Sequence, residues 1–323
     1  MINEEKMDVV ACFDKGFVMP TSVMMYSVCV NNQDVEVVFH LVIDESVVEE
    51  DKNNIVKTIS DFPRMKCVFY LVSSKLTASF PLYNGLHITR SSYYRLFLSD
   101  ILPATLDKVL YLDGDLIIRH SLLSLWETDL TEYAIGASID WAEGRDEIYS
   151  RLGYSPQKGC INTGVMLINL SYWRKNKLVK LFVDYLTEYS DKVIFVDQDV
   201  LNVVLQDQKY LIPVKYNLQT GFLRTVSEWD RKKYVKEVEE AIEDPIIVHF
   251  TEKCKPWCAY VHYPHPYRST FYKYQNQTRW KGAKVWHGML KQMVRGYMAD
   301  FLMLIKIVKP IKSPFLNVKP IDY

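Results

Sequence analysis

The 323-residue chain reads as an α/β protein with a mostly parallel sheet flanked by helices, and three observations carry that reading. Short apolar runs of strand type alternate with helical patterns through the first hundred residues, the order that builds βαβ units. The run Lys108-Val-Leu-Tyr-Leu112 lacks the polar alternation of a half-solvated strand, as a strand buried on both faces requires. No Gly- or Ser-rich linker, internal repeat or low-complexity tract divides the chain, so one main body with a C-terminal extension is expected rather than two independent domains.

Taken in order, Asp8 to Phe13 is the first expected strand and Met19 to Val30 a helix begun near Pro20 and Thr21. Glu36 to Ile43 is a second strand, Glu45 to Ser60 a polar helix and Lys66 to Leu71 a third strand. A helix from Ser91 to Leu102 leads into the strand that ends at Asp113. Further on, Ala134 to Ile139 and Val165 to Asn169 read as strands, with helices from Ser171 to Ser190 and Asp199 to Leu205. Ile246 to Val248 reads as a last short strand.

The most informative feature is Asp113-Gly114-Asp115, at the carboxyl end of the continuous apolar run. In an open α/β sheet the carboxyl ends of the strands face the crevice where ligands bind. Two carboxylates separated by one residue can both reach one hard divalent cation, and a cation there would neutralise a diphosphate. The same tripeptide is also an ordinary turn, with Gly supplying positive φ and Asp bonding its own backbone.

With 49% hydrophobic and 24% charged residues the composition is that of a globular protein. The 39 basic and 39 acidic residues cancel, which removes the electrostatic case for a nucleic-acid partner. Charge is nevertheless uneven: from Lys273 to Lys319 there are ten Lys or Arg against one acid, Asp300. In that segment Trp286, Met289, Leu290, Met293, Tyr297, Phe301, Leu304 and Val308 recur at helical spacing with Lys284, Lys291 and Arg295 between them, which suggests contact with an anionic membrane surface or packing on the main body. The apolar run Phe301 to Ile305 is too short to span a bilayer. Six scattered cysteines and no apolar signal-peptide core behind the first residues suggest a cytoplasmic location. Cys254 and Cys258 lie near His249, His262 and His265, but their spacing is not a standard zinc pattern, and free thiols are expected.

Seven blocks occur in a fixed order: Val9 to Asp14, Ser91 to Leu96, Lys108 to Asp115, Gly136 to Asp140, Asn162 to Leu170, Asp197-Gln198-Asp199 and His249 to Trp257. Together, over roughly Asp8 to Trp257, they resemble a family 8 glycosyltransferase and are similar to bacterial lipopolysaccharide galactosyl- and glucosyltransferases. The resemblance implies a GT-A fold with a Rossmann-like sheet, a UDP-glucose or UDP-galactose donor, a Mn²⁺ or Mg²⁺ ion, a saccharide or glycolipid acceptor, and transfer with retention of anomeric configuration. With no linker inside the chain and a basic C-terminal segment, the expected division is a catalytic domain over residues 1–270 and a basic extension over 271–323, the latter offering a contact with the inner face of the cytoplasmic membrane.

Residue by residue, the resemblance makes Asp113, Asp115 and His249 the metal ligands, with a nitrogen ligand favouring Mn²⁺. Lys255 and Arg95 would offset charge on the departing diphosphate. Asp14 would face the nucleoside side of the donor, Phe17 would stack on the base, and Gly114 and Asn162 would also line the donor site. Asp140 and Asp197 would bond sugar hydroxyls, and Gln198 would approach the reacting carbon. Two departures stand out: the chain has Asp14-Lys15-Gly16-Phe17 where such enzymes often read Asp-Asp-Asn-Tyr, and Glu252 where Gly is common. Two other readings remain open at this level. A silent sugar-nucleotide binder would keep Asp14 and Lys255 without a complete metal set. A haloacid-dehalogenase-type phosphatase also opens on Asp-x-Asp, but near the N-terminus rather than after more than a hundred residues.

Overall fold

The computed structural model describes residues 5–83, 89–224, 231–253, 255–259, 263–285, 294, 297–298, 301 and 315–316. The strands are β1 (Lys6–Phe13), β2 (Glu36–Ile43), β3 (Met65–Leu71), β4 (Lys108–Leu112), β5 (Leu116–Ile118), β6 (Ile135–Ile139), β7 (Ile161–Asn169), β8 (Lys209–Leu211), β9 (Leu218–Gln219) and β10 (Ile247–His249). The helices are α1 (Val18–Asn31), α2 (Glu49–Ile59), α3 (Leu98–Ile101), α4 (Leu123–Trp126), α5 (Asp146–Leu152), α6 (Leu170–Lys175), α7 (Leu178–Glu188), α8 (Val196–Val204), α9 (Arg231–Glu243) and α10 (Arg268–Gln275).

Seven strands form the main sheet in the order β3-β2-β1-β4-β7-β6-β8, and a small second sheet runs β5-β10-β9. The main sheet is mostly parallel, as expected, with one inverted member: β7 runs antiparallel to both β4 and β6. Side-chain alternation along β1 shows why the strands are apolar throughout. Val9 and Ala11 enter the core shared with α1 and α2, whereas Val10 and Cys12 enter the core on the other face, beneath Trp173 and Phe182 of α6 and α7. A third core joins the small sheet to Phe250, Trp257, Tyr267 and Phe271.

Local chemistry sets several boundaries. In α1, Pro20 falls in the first turn, where no backbone donor is needed. The carboxylate of Asp51, in the first turn of α2, accepts from Val48 N–H at 3.0 Å and so caps the helix. The helix expected over Ser91 to Leu102 is instead a 3₁₀ segment, Arg90–Phe97, followed by the short α3. The helix expected over Ser171 to Ser190 is broken into α6 and α7 by Lys177, whose φ of 53° is left-handed. The packed body continues past residue 270, because α10 buries Phe271 in the third core. Most of the basic extension lies outside the described residues, as do Cys254 and His262. Within it, Val294, Tyr297, Met298 and Phe301 are helical and exposed. Among the described residues no helix is long and apolar enough to cross a membrane.

Candidate active site

The carboxyl end of β4 carries the site. Asp113 and Asp115 stand on either side of the turn from β4 into β5, and β5 pairs with β10 so that Leu116 lies opposite His249. This register, together with Phe250 N–H donating to Asp115 O at 3.0 Å, brings residues far apart in sequence to one point. His249 Nε2 lies 3.3 Å from Asp115 Oδ1 and 3.8 Å from Asp113 Oδ2, and the three prospective ligand atoms all fall within 4.8 Å of one another. Two anionic oxygens and one imidazole nitrogen in that space fit a single divalent cation. Among the described residues no other His, Cys, Asp and Glu group is so arranged.

Two cations border the carboxylates. Lys255 Nζ donates to Asp115 Oδ2 at 2.6 Å and to the carbonyl of Phe250. Burial alone would push the Asp115 carboxyl up, but Lys255 and His249 together hold it well below the usual carboxylate range. Arg95, buried on the 3₁₀ segment, donates to Asp113 Oδ1 at 2.8 Å, to Thr163 O at 2.9 Å and to Ser92 O at 3.0 Å, with Asp197 Oδ2 at 3.3 Å. Its guanidinium lies 4.4 Å from the centroid of the Tyr111 ring, and the Tyr111 hydroxyl donates to Asp113 Oδ1 at 2.8 Å. Burial works against the Arg95 charge, yet Asp113 and Asp197 hold its pKa above the ordinary value.

A polar chain extends from this charged centre into the sheet. Asp197 Oδ2 accepts from Thr163 Oγ1 at 2.8 Å, and burial pushes its carboxyl up to about 6 despite Arg95. Asp140 Oδ2 accepts from Asn162 Nδ2 at 3.0 Å and from Gln198 Nε2 at 3.1 Å, while its Oδ1 accepts from Ala142 N–H at 2.8 Å. Gln198 Oε1 in turn lies 3.2 Å from Asn162 Nδ2. The turn before Asp197 contains Val196 at a φ of 41°, an uncommon backbone for a β-branched residue. Asp199 holds that turn: it accepts from Ile194 and Phe195 N–H at 2.8 Å each and from both terminal nitrogens of Arg151 at 2.7 and 3.0 Å.

The remaining expected residues border the same centre. Asp14, at the end of β1, accepts from Gly16 N–H at 2.9 Å and Ser91 Oγ at 3.2 Å. Phe17 packs edge-on to Trp257 with ring centroids 6.3 Å apart. At Gly114 an added Cβ would stand 3.1 Å from the Phe17 ring and 2.4 Å from Thr21 Oγ1, so this turn needs the missing side chain for close approach. Asp14 thus adjoins Ser91 of the 3₁₀ segment that carries Arg95, and Phe17 adjoins Gly114 of the carboxylate turn. Sequence reasoning missed Tyr111, which reads as core, and Asn217 and Gln219, which stand in no motif. It also passed over Thr163 and Gly164 within a block that it did single out.

A doubly flanked, mostly parallel sheet with a carboxylate pair, a histidine and two cations at its crevice defines a GT-A glycosyltransferase as the class. The model of the family described as "Glycosyl transferase family 8" matches residues 8–260, and the chain belongs to that family. It is 27% identical to general stress protein A of Bacillus subtilis over 87% of this chain and 96% of that protein. It is 26% identical to a lipopolysaccharide 1,2-glucosyltransferase of Escherichia coli over 77% of this chain and 73% of the relative. Among solved structures, the galactosyltransferase LgtC in complex with donor and acceptor sugar analogues superposes with a TM-score of 0.75 at 25% identity, covering 88% of this chain and all of that one.

Proposed function

We propose that the protein is a hexosyltransferase that moves glucose or galactose from a UDP-sugar to a saccharide or glycolipid acceptor with retention, in synthesis of lipopolysaccharide or another cell-surface glycan. The observation that carries this reading is the convergence of Asp113, Asp115 and His249 beside Lys255. In it these three hold Mn²⁺ or Mg²⁺, which supplies Lewis-acid neutralisation of the diphosphate. Lys255 and Arg95 add positive charge next to the leaving group, where negative charge develops as the glycosidic bond breaks. Asp14 and Phe17 take the nucleoside, and Gly114 lets the Asp113–Asp115 turn lie against Phe17.

Asp140, Asn162, Asp197 and Gln198 face the transferred sugar in this proposal. The oxygens of Asp140 already accept three hydrogen bonds, and Asp197 Oδ2 is shared between Thr163 and Arg95. Carboxylates so engaged favour hydroxyl binding over nucleophilic attack, which supports front-face transfer in which the departing phosphate takes the acceptor proton. The exposed apolar residues Val294, Tyr297, Met298 and Phe301, with the basic residues between Lys273 and Lys319, support docking at the cytoplasmic leaflet.

The test is calorimetric titration with UDP, with and without Mn²⁺, followed by UDP release from UDP-glucose and UDP-galactose. Metal-dependent UDP binding is expected, together with loss of activity in Asp115→Ala. UDP binding indifferent to metal, or full metal-dependent activity in Asp115→Ala, would overturn the assignment.

A further inference from the structure

We infer that Asn217 is a positioning residue that selects which ring nitrogen of His249 faces Asp113 and Asp115; the inference rests on the proposal that those three residues hold the ion. A backbone amide can only donate, and Gly164 N–H donates to Asn162 Oδ1 at 3.0 Å, which fixes the orientation of that side-chain amide. Its other end agrees, since Asn162 Nδ2 donates to Asp140 Oδ2 and Gln198 Oε1. Asn162 Oδ1 also lies 2.9 Å from the Asn217 amide, so the group that Asn217 presents there is its NH₂.

The carbonyl end of Asn217 is then the one directed at His249 Nδ1, 2.9 Å away. A carbonyl oxygen only accepts, so Nδ1 carries the hydrogen. In a neutral imidazole that leaves the lone pair on Nε2, the atom 3.3 Å from Asp115 Oδ1 and 3.8 Å from Asp113 Oδ2. All three members of this relay are closed off from solvent: Asn162 is 7% exposed, Asn217 0% and His249 4%.

The fold explains how Asn217 arrives there. It immediately precedes β9, and β9 pairs in parallel with β10 so that Leu218 lies beside Val248 and Gln219 beside His249. Strand β7 brings Gly164 against the same ring and Asn162 against Asn217, and only a glycine allows the first contact: a Cβ at 164 would stand 2.1 Å from His249 Cε1. The Asn217 amide bonds to His249 and Asn162 rather than to Asp113 or Asp115. It links the prospective ion site to the Asn162, Asp140 and Gln198 group, so that both sides of the reacting bond hang on one hydrogen-bonded chain.

Dissociation of Mn²⁺ in the presence of UDP, followed by electron paramagnetic resonance on the full chain, tests this in the native protein, Asn217→Leu and His249→Ala. Circular dichroism checks that each is folded. Nitrogen NMR of the native Mg²⁺–UDP complex gives a second, independent readout of the His249 ring. The expected results are a 10- to 100-fold weaker Mn²⁺ affinity in Asn217→Leu and a hydrogen on Nδ1 with none on Nε2 in the native complex. Native Mn²⁺ affinity in His249→Ala would sink the ion site itself. Weakening in His249→Ala with native affinity in a folded Asn217→Leu would overturn the inference while leaving the ion site standing; a hydrogen on Nε2 would overturn the inference and, with it, ligation of the ion through that nitrogen. Should Asn217→Leu not fold, the location of the ring hydrogen decides alone.

Discussion

Gly164 is the position where a single methyl group would do most harm to the site. A Cβ built there stands 2.1 Å from His249 Cε1, 2.7 Å from His249 Nδ1 and 2.9 Å from Asp113 Oδ2. Ordinary carbon contact begins near ~3.5 Å, so the imidazole must retreat by at least about 1.4 Å. Strand β7 is held against this on its β4 side, where Leu112 pairs with Val165 and Asp113 N–H donates to Gly164 O at 2.8 Å. The ring is tethered in turn by Asn217. Overpacking of this kind costs about 1–3 kcal/mol of stability, and a ligand displaced by about 1 Å costs roughly 10²-fold in turnover. Gly164→Ala is thus expected to remain folded with a modestly lower melting temperature, to bind Mn²⁺ more weakly and to release UDP from a UDP-hexose about a hundredfold more slowly. Native metal affinity and turnover in this variant would refute the packing argument.

Other contacts lead to three more expected outcomes. In Gly221→Ala the new Cβ stands 2.2 Å from Trp141 Cδ2, so the indole next to Asp140 must move; its fluorescence is expected to shift and turnover to fall on the order of tenfold, and an unchanged spectrum with unchanged turnover would count against it. Arg151→Met leaves the carboxylate of Asp199, 2% exposed, without its paired cation, and a loss of about 3–5 kcal/mol is expected in urea unfolding; a loss below ~1 kcal/mol would show that the clamp on the turn before Asp197 is not an energetic one. In metal-free protein, Asp197 titrates near 6 when folded against an ordinary value of 3.8, so its contribution to stability is full below 3.8 and is lost as pH rises through about 6. Asp197→Asn is expected to flatten the decline in urea midpoint between pH 4 and 7, and an unaltered slope would contradict the burial assigned to this carboxylate.

Much of this site was legible in the sequence because its parts sit at strand ends. Val109 to Leu112 announces a buried strand, and the residues just beyond the carboxyl end of such a strand face the crevice, so Asp113 and Asp115 could be assigned a place from sequence alone. The helix boundaries were less legible for physical reasons. A 3₁₀ segment such as Arg90–Phe97 repeats every three residues, too close to the helical period for eight residues to distinguish. The break at Lys177 depends on one backbone angle, and Lys is not a residue that advertises a left-handed conformation. Strands of two or three residues, β9 and β10 among them, are too short to display alternation. Asn217 is the clearest omission: it acts through contacts separated by 55 and 32 positions, and nothing in Tyr216-Asn217-Leu218 records them. Tyr111 was legible only in part, since its ring reads as core and its hydroxyl belongs to the site.

The reversal of β7 separates the places where this chain can be cut from those where it cannot. Because β7 runs against β4, with Leu112 opposite Val165 and Lys108 opposite Asn169, its opening residues supply the crevice and its closing residues lie at the far edge of the sheet. The exposed turn at Asn176 and Lys177, just beyond α6, belongs to that far edge. A fluorophore, an affinity tag or a whole inserted domain attached there would leave Asn162, Thr163 and Gly164 seated, whereas the same insertion ahead of Ile161 would break into the site. The molecule has one end for chemistry and an opposite end by which it can be held.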